Sequence, residues 1–220
     1  MEVDAKRLLF ETLASLGKAL SNAHRLELLD FLAQGERSVE RLATLAGLSV
    51  ANASQHLRGL HRAGLVTTRK EGQNVFYALA DLSIIALMGE MRRVSERNVA
   101  EMERLINTYL KTRDALDPVT AQELIGMLEE EAVTIIDVRP PEEYAKGHIP
   151  GAINIPFKEL AGRAKELLGD REVIAYCRGP YCLLSYDAVA LFRSMGQPAR
   201  RLEDGFPEWR YGLNPVEEGS

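Results

Sequence analysis

The chain has 220 residues, 46% hydrophobic and 27% charged, with a formal net charge of −5 at pH 7. That length accommodates two small domains, each large enough for its own core, and the composition is ordinary for a soluble globular protein. No apolar run approaches the ~20 residues that span a bilayer, and the opening Met1-Glu2-Val3-Asp4-Ala5-Lys6 lacks the basic-then-apolar pattern of a secretory signal. The expected setting is therefore cytoplasmic, without a membrane partner, where the two cysteines would form a disulfide only transiently. Charge is uneven: residues 1–115 carry 16 Lys and Arg against 14 Asp and Glu, residues 116–220 carry 11 against 18. The first half is too weakly basic for a general nucleic-acid footprint, so any such surface must be a local patch.

In chain order, residues 5–20 read as an amphipathic helix with Leu9, Leu13, Leu16 and Leu20 on one face. Ser21-Asn22 should cap a second helix running through Leu26, Leu29 and Phe31 to a stop near Gly35. Ser38 should cap a third, Val39 to Ala46, closed by Gly47, and Ser49 a fourth, Val50 to Ala63, ended by Gly64. Two short helices joined by a glycine-containing turn make a helix-turn-helix pattern. Leu65-Val66-Thr67-Thr68-Arg69 and Val75-Phe76-Tyr77-Ala78-Leu79 alternate as strands around residues 70–74, a hairpin placed as a wing. A long helix is expected from Leu82 to Thr112, about 45 Å at 1.5 Å per residue. Its seam of Ile84, Met88, Met91, Met102, Leu105 and Tyr109 has a period near 3.5 that suits pairing between two subunits, although part of this face must serve the chain's own core.

Residues 5–110 resemble the ArsR-type winged-helix repressors through Ser49-Val50-Ala51-Asn52-Ala53-Ser54-Gln55-His56-Leu57-Arg58-Gly59-Leu60, then Ala63-Gly64-Leu65-Val66 and the wing. The resemblance implies a homodimer on a double-stranded DNA operator. Ala53, Leu57 and Leu60 would face inward, leaving Ser49, Asn52, Ser54, Gln55, His56 and Arg58 for a major groove. Arg69 and Lys70 on the wing would meet phosphates or a minor groove. Metal-sensing members carry cysteines in the helix before the recognition helix, or histidines and acids on the last helix. Here Val39-Glu40-Arg41-Leu42-Ala43-Thr44-Leu45-Ala46 has no cysteine and residues 82–112 no histidine. No metal site and no cofactor are therefore expected.

A linker is expected at 113–119, dividing a winged-helix and dimerisation domain (1–112) from a second domain (120–220). Thr120 and Glu123 form a capping-box pattern for a helix Ala121 to Glu131, followed by a buried strand, Val133-Thr134-Ile135-Ile136-Asp137-Val138. A second buried strand, Val173-Ile174-Ala175-Tyr176, leads into Cys177-Arg178-Gly179-Pro180-Tyr181-Cys182, and a helical pattern with Leu184, Ala188, Leu191 and Phe192 follows. This alternation predicts an α/β domain with a largely parallel sheet. A cysteine at a strand end before a helix meets backbone N–H donors that favour an anion, which suits a nucleophile or a persulfide. Arg178, Gly179 and Pro180 describe an exposed turn rather than a core in which both cysteines are inert.

Residues 118–216 resemble a rhodanese domain. The motifs are Asp137-Val138-Arg139 with Glu143-Tyr144 and Gly147-His148-Ile149-Pro150-Gly151-Ala152, then the Cys177 loop, then Gly205-Phe206-Pro207-Glu208-Trp209 with Gly212. The resemblance implies sulfur transfer from a sulfane-sulfur donor, such as a low-molecular-weight persulfide or thiosulfate, through Cys177. The backbone amides of Arg178, Gly179, Tyr181, Cys182 and Leu183, with the Arg178 charge, would stabilise its anionic forms. Asp137, Arg139, His148 and Trp209 read as scaffold. Related phosphatase loops place an arginine six positions after the cysteine; Leu183 stands there, so no phosphate clamp is completed. Pro180 supplies no N–H, which leaves the cradle one donor short. Cys182 is a candidate resolving thiol, provided the Cα atoms lie about 4.4–6.8 Å apart.

Together the two halves read as a dimeric DNA-binding transcriptional regulator, a repressor, that senses or transfers sulfane sulfur at Cys177. The alternatives are a working thiosulfate or persulfide sulfurtransferase with an uncoupled DNA-binding module, and an arsenic- or thiophilic-metal-responsive repressor using Cys177 and Cys182.

Overall fold

The computed structural model describes residues 2–114 and 118–219. Packing divides the chain into two compact units, Met1–Met88 and Gly89–Ser220. Among the described residues no helix is long and apolar enough to cross a membrane.

The first unit contains α1 (Glu2–Leu20), α2 (Ala23–Ala33), β1 (Arg37–Ser38), α3 (Val39–Leu45), α4 (Val50–Arg62), β2 (Val66–Glu71) and β3 (Asn74–Leu79). Three of its helices begin where their cap residues predict. Asn22, Ser38 and Ser49 are extended, and their side chains accept the backbone N–H of Arg25, Arg41 and Asn52. Gly47 and Gly64, both at positive φ, end α3 and α4. The wing is an antiparallel hairpin, tighter than expected: Lys70 and Glu71 stay in β2 and Asn74 in β3, leaving Gly72-Gln73 as the turn. Two-residue β1, not anticipated, pairs with β3 and completes a sheet of order β1-β3-β2. The core is built from Leu28, Leu29, Leu32, Leu42, Ala53, Leu57 and Leu60, all almost fully buried. At roughly 1.5–3 kcal/mol per buried Leu, this face holds the helix-turn-helix together. The helix α1 departs from its expected pattern. Leu20 is buried and Leu16 half-buried, but Leu9 and Leu13 remain exposed beside Leu8 and Phe10.

The expected single helix over 82–112 is interrupted. It is resolved into α5 (Ser83–Asn98), α6 (Ala100–Ile106) and a π-helical turn, Asn107–Lys111. Val99 between α5 and α6 is extended, at φ −113° and ψ 102°. Asn98 and Val99 are both weak helix formers, and the Asn98 side chain donates to the Val94 carbonyl at 2.8 Å, competing with the backbone ladder. The seam is therefore not continuous. Ile84 and Met88 pack into the first unit's own core, while Met91, Leu105 and Tyr109 stay exposed.

The second unit continues from the Gly89 end of α5 through α6, α7 (Ala121–Glu129), β4 (Val133–Asp137), α8 (Pro141–Tyr144), β5 (Ile153–Asn154), α9 (Phe157–Arg163), β6 (Glu172–Tyr176), α10 (Leu183–Ser194), β7 (Ala199–Arg201) and α11 (Phe206–Tyr211). Both reciprocal bonds of the Thr120–Glu123 capping box are present. The sheet, of order β5-β4-β6-β7, is parallel throughout, as the strand–helix alternation predicts. Its central strands are buried on both faces, between Val189 and Phe192 on one side and Leu124 and Trp209 on the other. Of the expected linker, residues 115–117 lie outside the described residues. Asp114 before them is buried with Arg193 Nη1 at 2.7 Å, and Val119 after them bridges to Leu202.

Candidate functional site

Cys177 follows β6 directly, at the carboxyl end of the parallel sheet, and is almost fully buried. This end is where open α/β sheets place their chemistry, because loops leave the strands there and helix N-termini point back at them. Five residues on, Cys182 is the N-cap of α10. The two cysteines are joined as a disulfide with their Cα atoms 6.3 Å apart, inside the separation such a bond requires.

The loop between them is held from three directions. Arg178 donates from Nε and Nη2 to the carboxylate of Glu143, at 2.8–3.1 Å, and Glu143 is almost completely buried. The Arg178 charge is thus paired with a carboxylate, which ties the loop to α8. The Tyr186 hydroxyl donates to the Pro180 carbonyl at 3.1 Å, and the Cys182 N–H donates to the Gly179 carbonyl at 3.0 Å. With the two cysteines joined, the Cys182 amide is thus bonded within the loop. Leu183 opens α10, where the first-turn N–H groups have no intrahelical acceptor.

The third hold is Gly205. A β-carbon at this position would lie 2.3 Å from the Gly179 nitrogen and 2.4 Å from the Arg178 carbonyl carbon, so only glycine lets the two backbones meet. The next residue, Phe206, donates its N–H to the Cys177 carbonyl at 3.1 Å. Glu208 closes the corner by accepting the Gly205 N–H at 3.1 Å. Its carboxyl is desolvated, and burial pushes its pKa up to about 7, with the Asp204 charge adding to the rise. Sequence reasoning took Gly205 and Glu208 as motif letters. The Gly205 contact with the Cys177 loop, and the Glu208 bond to Gly205 behind it, become visible only once β6 and α11 are adjacent.

Asp137 and Arg139 form a fully buried ion pair, with the Arg139 guanidinium 4.2 Å from the Phe206 ring centre. His148 stacks on Tyr144 at 3.7 Å, and Trp209 Nε1 donates to the Pro215 carbonyl at 2.8 Å.

On the first unit, Asn52, Gln55 and Arg58 of α4 are exposed, and Ser49 caps that helix. Ser54 is half-buried, its carbonyl accepting from Arg58 Nε at 3.2 Å. His56 departs from the expected groove face. It turns toward α2, with its ring centre 5.7 Å from that of His24, and burial, His24 and Arg25 together lower its pKa and favour the neutral ring. Arg62, one turn beyond Arg58, shares a concave surface with Gln55, Arg58 and His61; it lies within the expected helix Val50 to Ala63 but was not among the residues expected at the groove. On the wing Lys70 is exposed, whereas Arg69 is engaged by Glu36 at 2.6 Å and Glu71 at 2.7 Å and lies over Phe76. Those carboxylates raise the Arg69 pKa, and a phosphate would have to displace them.

The bacterial regulatory protein arsR family profile matches residues 22–68, and the rhodanese-like domain profile matches residues 120–211. The HTH-type transcriptional regulator Rv0324 of Mycobacterium tuberculosis is 44% identical over 217 residues, covering 99% of this chain and 95% of that one. The chain belongs to the ArsR-family transcriptional regulators that carry a C-terminal rhodanese-like domain. A protein named sulfurtransferase from Allochromatium vinosum is 35% identical to the regulator over 89 residues, 40% of this chain and 81% of its own. The solution structure of a homodimeric winged helix-turn-helix DNA-binding domain from Mycobacterium bovis is 40% identical, covering 44% of this chain and 89% of its own, with a TM-score of 0.41.

Proposed function

We propose that the regulator is a cytoplasmic, homodimeric repressor that reads sulfane sulfur through Cys177 and Cys182. The observation that carries this reading is the pairing of a cysteine at the carboxyl end of β6 with a second cysteine at the N-cap of α10. In the reduced protein the Cys177 thiolate attacks the outer sulfur of a low-molecular-weight persulfide. The donor's thiolate leaves and Cys177 carries the persulfide. The Cys182 thiolate then attacks Cys177 Sγ. Hydrosulfide leaves, and the Cys177–Cys182 disulfide remains. Over both steps the two cysteines are oxidised, the sulfane sulfur is reduced to sulfide, and no further oxidant is consumed.

Residues 1–112 would bind operator DNA and dimerise, and 120–220 would handle sulfur. Asn52, Gln55, Arg58, Arg62 and Lys70 offer polar and cationic groups to a duplex. Met91, Leu105 and Tyr109, with Leu8, Leu9, Phe10 and Leu13 of α1, offer exposed apolar area for a second copy. The experiment is mass spectrometry of the reduced protein given one equivalent of a persulfide donor. The expected product is a Cys177–Cys182 disulfide with one sulfide released per chain. A Cys182→Ser variant should stop at a 32-Da adduct on Cys177, roughly one sulfur atom. An adduct that survives unchanged with Cys182 present would remove the resolving step. The sulfurtransferase reading, favoured by the likeness to the Allochromatium protein, would appear as repeated turnover without any change in DNA affinity.

A further inference from the structure

The loop between the two cysteines makes a contact that sulfur chemistry does not need. The Tyr181 hydroxyl donates to Glu96 Oε1 on α5 at 2.7 Å, leaving that carboxylate against a part-desolvated phenol whose pKa is raised by burial and by Glu96 itself. One turn earlier on α5, Arg92 Nη2 donates to Asp204 Oδ1 at 2.7 Å, with the Arg92 side chain only 15% exposed. Arg92 and Glu96 stand four apart, on one face of the helix.

Each hold lies one residue from Cys182 or from Gly205, which touches the Cys177 loop. Tyr181 precedes Cys182, and consecutive Cα atoms are fixed about 3.8 Å apart, so Cys182 cannot move toward or away from Cys177 without carrying Tyr181. Asp204 precedes Gly205, which touches the Arg178–Gly179 backbone, and Phe206 after it is bonded to the Cys177 carbonyl. The same helix begins at Ser83, and its first turns place Ile84, Leu87 and Met88 in the core that also holds α4. The chain passes from the first unit to the second within this one 16-residue helix.

We propose that α5 couples the Cys177 loop to DNA binding, with Tyr181–Glu96 and Arg92–Asp204 as its two holds, so that operator DNA and the dithiol–disulfide state bias each other. This deepens the sensor reading and rests on it for the identity of the physiological signal. Coupling between binding equilibria is reciprocal. The factor by which operator affinity differs between dithiol and disulfide protein must equal the factor by which saturating operator shifts the dithiol–disulfide equilibrium.

The test uses the full-length protein in a glutathione redox buffer, with the disulfide fraction read by thiol alkylation and mass spectrometry, with and without operator duplex. The wild-type equilibrium should shift at least about fivefold on DNA addition, matching the affinity ratio measured separately. Glu96→Ala, and Arg92→Gln as a second variant at the other hold, should each reduce that shift, and the double variant should abolish it while free operator affinity is kept. A wild-type equilibrium indifferent to operator overturns the proposal, as does a shift of wild-type size in the double variant. If operator moves the redox equilibrium but a sulfane donor leaves DNA affinity unchanged, the coupling stands and the sulfur signal falls.

Discussion

Replacing Gly205 by alanine isolates how the Cys177 loop is positioned. The backbone at Gly205 has φ −104°, which any residue adopts, so alanine brings no conformational strain there. What it brings is a methyl group 2.3 Å from the Gly179 nitrogen and 2.5 Å from the Arg178 carbonyl oxygen, both backbone atoms that have no rotamer to change. Reaching ordinary contact requires α11 and the loop to separate by about 1 Å. Overpacking of this kind costs about 1–3 kcal/mol, and losing the Phe206 N–H to Cys177 carbonyl bond adds about 1 kcal/mol. Gly205→Ala should therefore destabilise the second unit by about 2–4 kcal/mol and lower its melting temperature, with α4 and the wing untouched. A displacement of about 1 Å at a reacting group costs about a hundredfold in rate. Persulfide loading of Cys177, followed by mass spectrometry under single-turnover conditions, should fall by that order. A variant that melts and loads like the wild type would refute the idea that this backbone contact sets the loop.

Three further experiments probe other parts of the structure. Glu208 has its pKa raised to about 7 from an unfolded value near 4.5, so the unfolded chain releases its proton first as pH rises, and the stability this group contributes is full below 4.5 and lost through about 7. The difference sets an order of about 3 kcal/mol; Glu208→Gln should flatten the stability profile between pH 5 and 7.5 in denaturant titrations, and an unchanged slope would exclude the buried carboxyl as its source. Removing one partner of a buried ion pair costs about 3–5 kcal/mol, so Glu143→Ala should approach that figure, reduced because Arg178 is 18% exposed. Arg178→Ala takes this partner away from the buried Glu143 carboxylate, so both variants should slow sulfur loading by freeing the loop from α8, and loading at the wild-type rate in both would exclude the anchor. Arg58→Ala with Arg62→Ala should weaken operator binding and reduce the slope of log affinity against log salt by about 1 for each lost phosphate contact, whereas a slope identical to wild type would place α4 off the duplex backbone.

Much of the architecture was legible because it is encoded locally. Asn22, Ser38 and Ser49 each set a helix start through one side-chain bond to a nearby N–H, and the Thr120–Glu123 box through two reciprocal ones, all fixed by spacing along the chain. The parallel sheet followed from unbroken apolar runs that must be covered on both faces. What escaped was decided between distant residues. The heptad-like seam from Ile84 to Tyr109 runs past the break at Val99, marked only by the weak helix propensities of Asn98 and Val99, and its first residues are used by the winged-helix core rather than left free. His56 has the spacing of a groove-facing residue, yet its ring lies 5.7 Å from that of His24, 32 positions earlier. Arg178 and Arg69 read as free charges because their carboxylates, Glu143 and Glu36, lie more than 30 positions away. Around the cysteines, position was readable and support was not. Strand, cysteine and helix follow one another in sequence, while Glu143, Gly205 and Glu96 reach the loop only through the fold.

The most direct measurement is operator affinity of the full-length regulator, on a fragment of its own promoter at one fixed salt concentration, before and after a persulfide donor, with Cys177→Ser alongside. A shift of tenfold or more, about 1.4 kcal/mol, in the wild type and none in Cys177→Ser is the expected result. Tight binding that stays unchanged while Cys177 and Cys182 still convert to the disulfide would contradict it, and would leave a sulfurtransferase joined to a DNA-binding unit that does not respond.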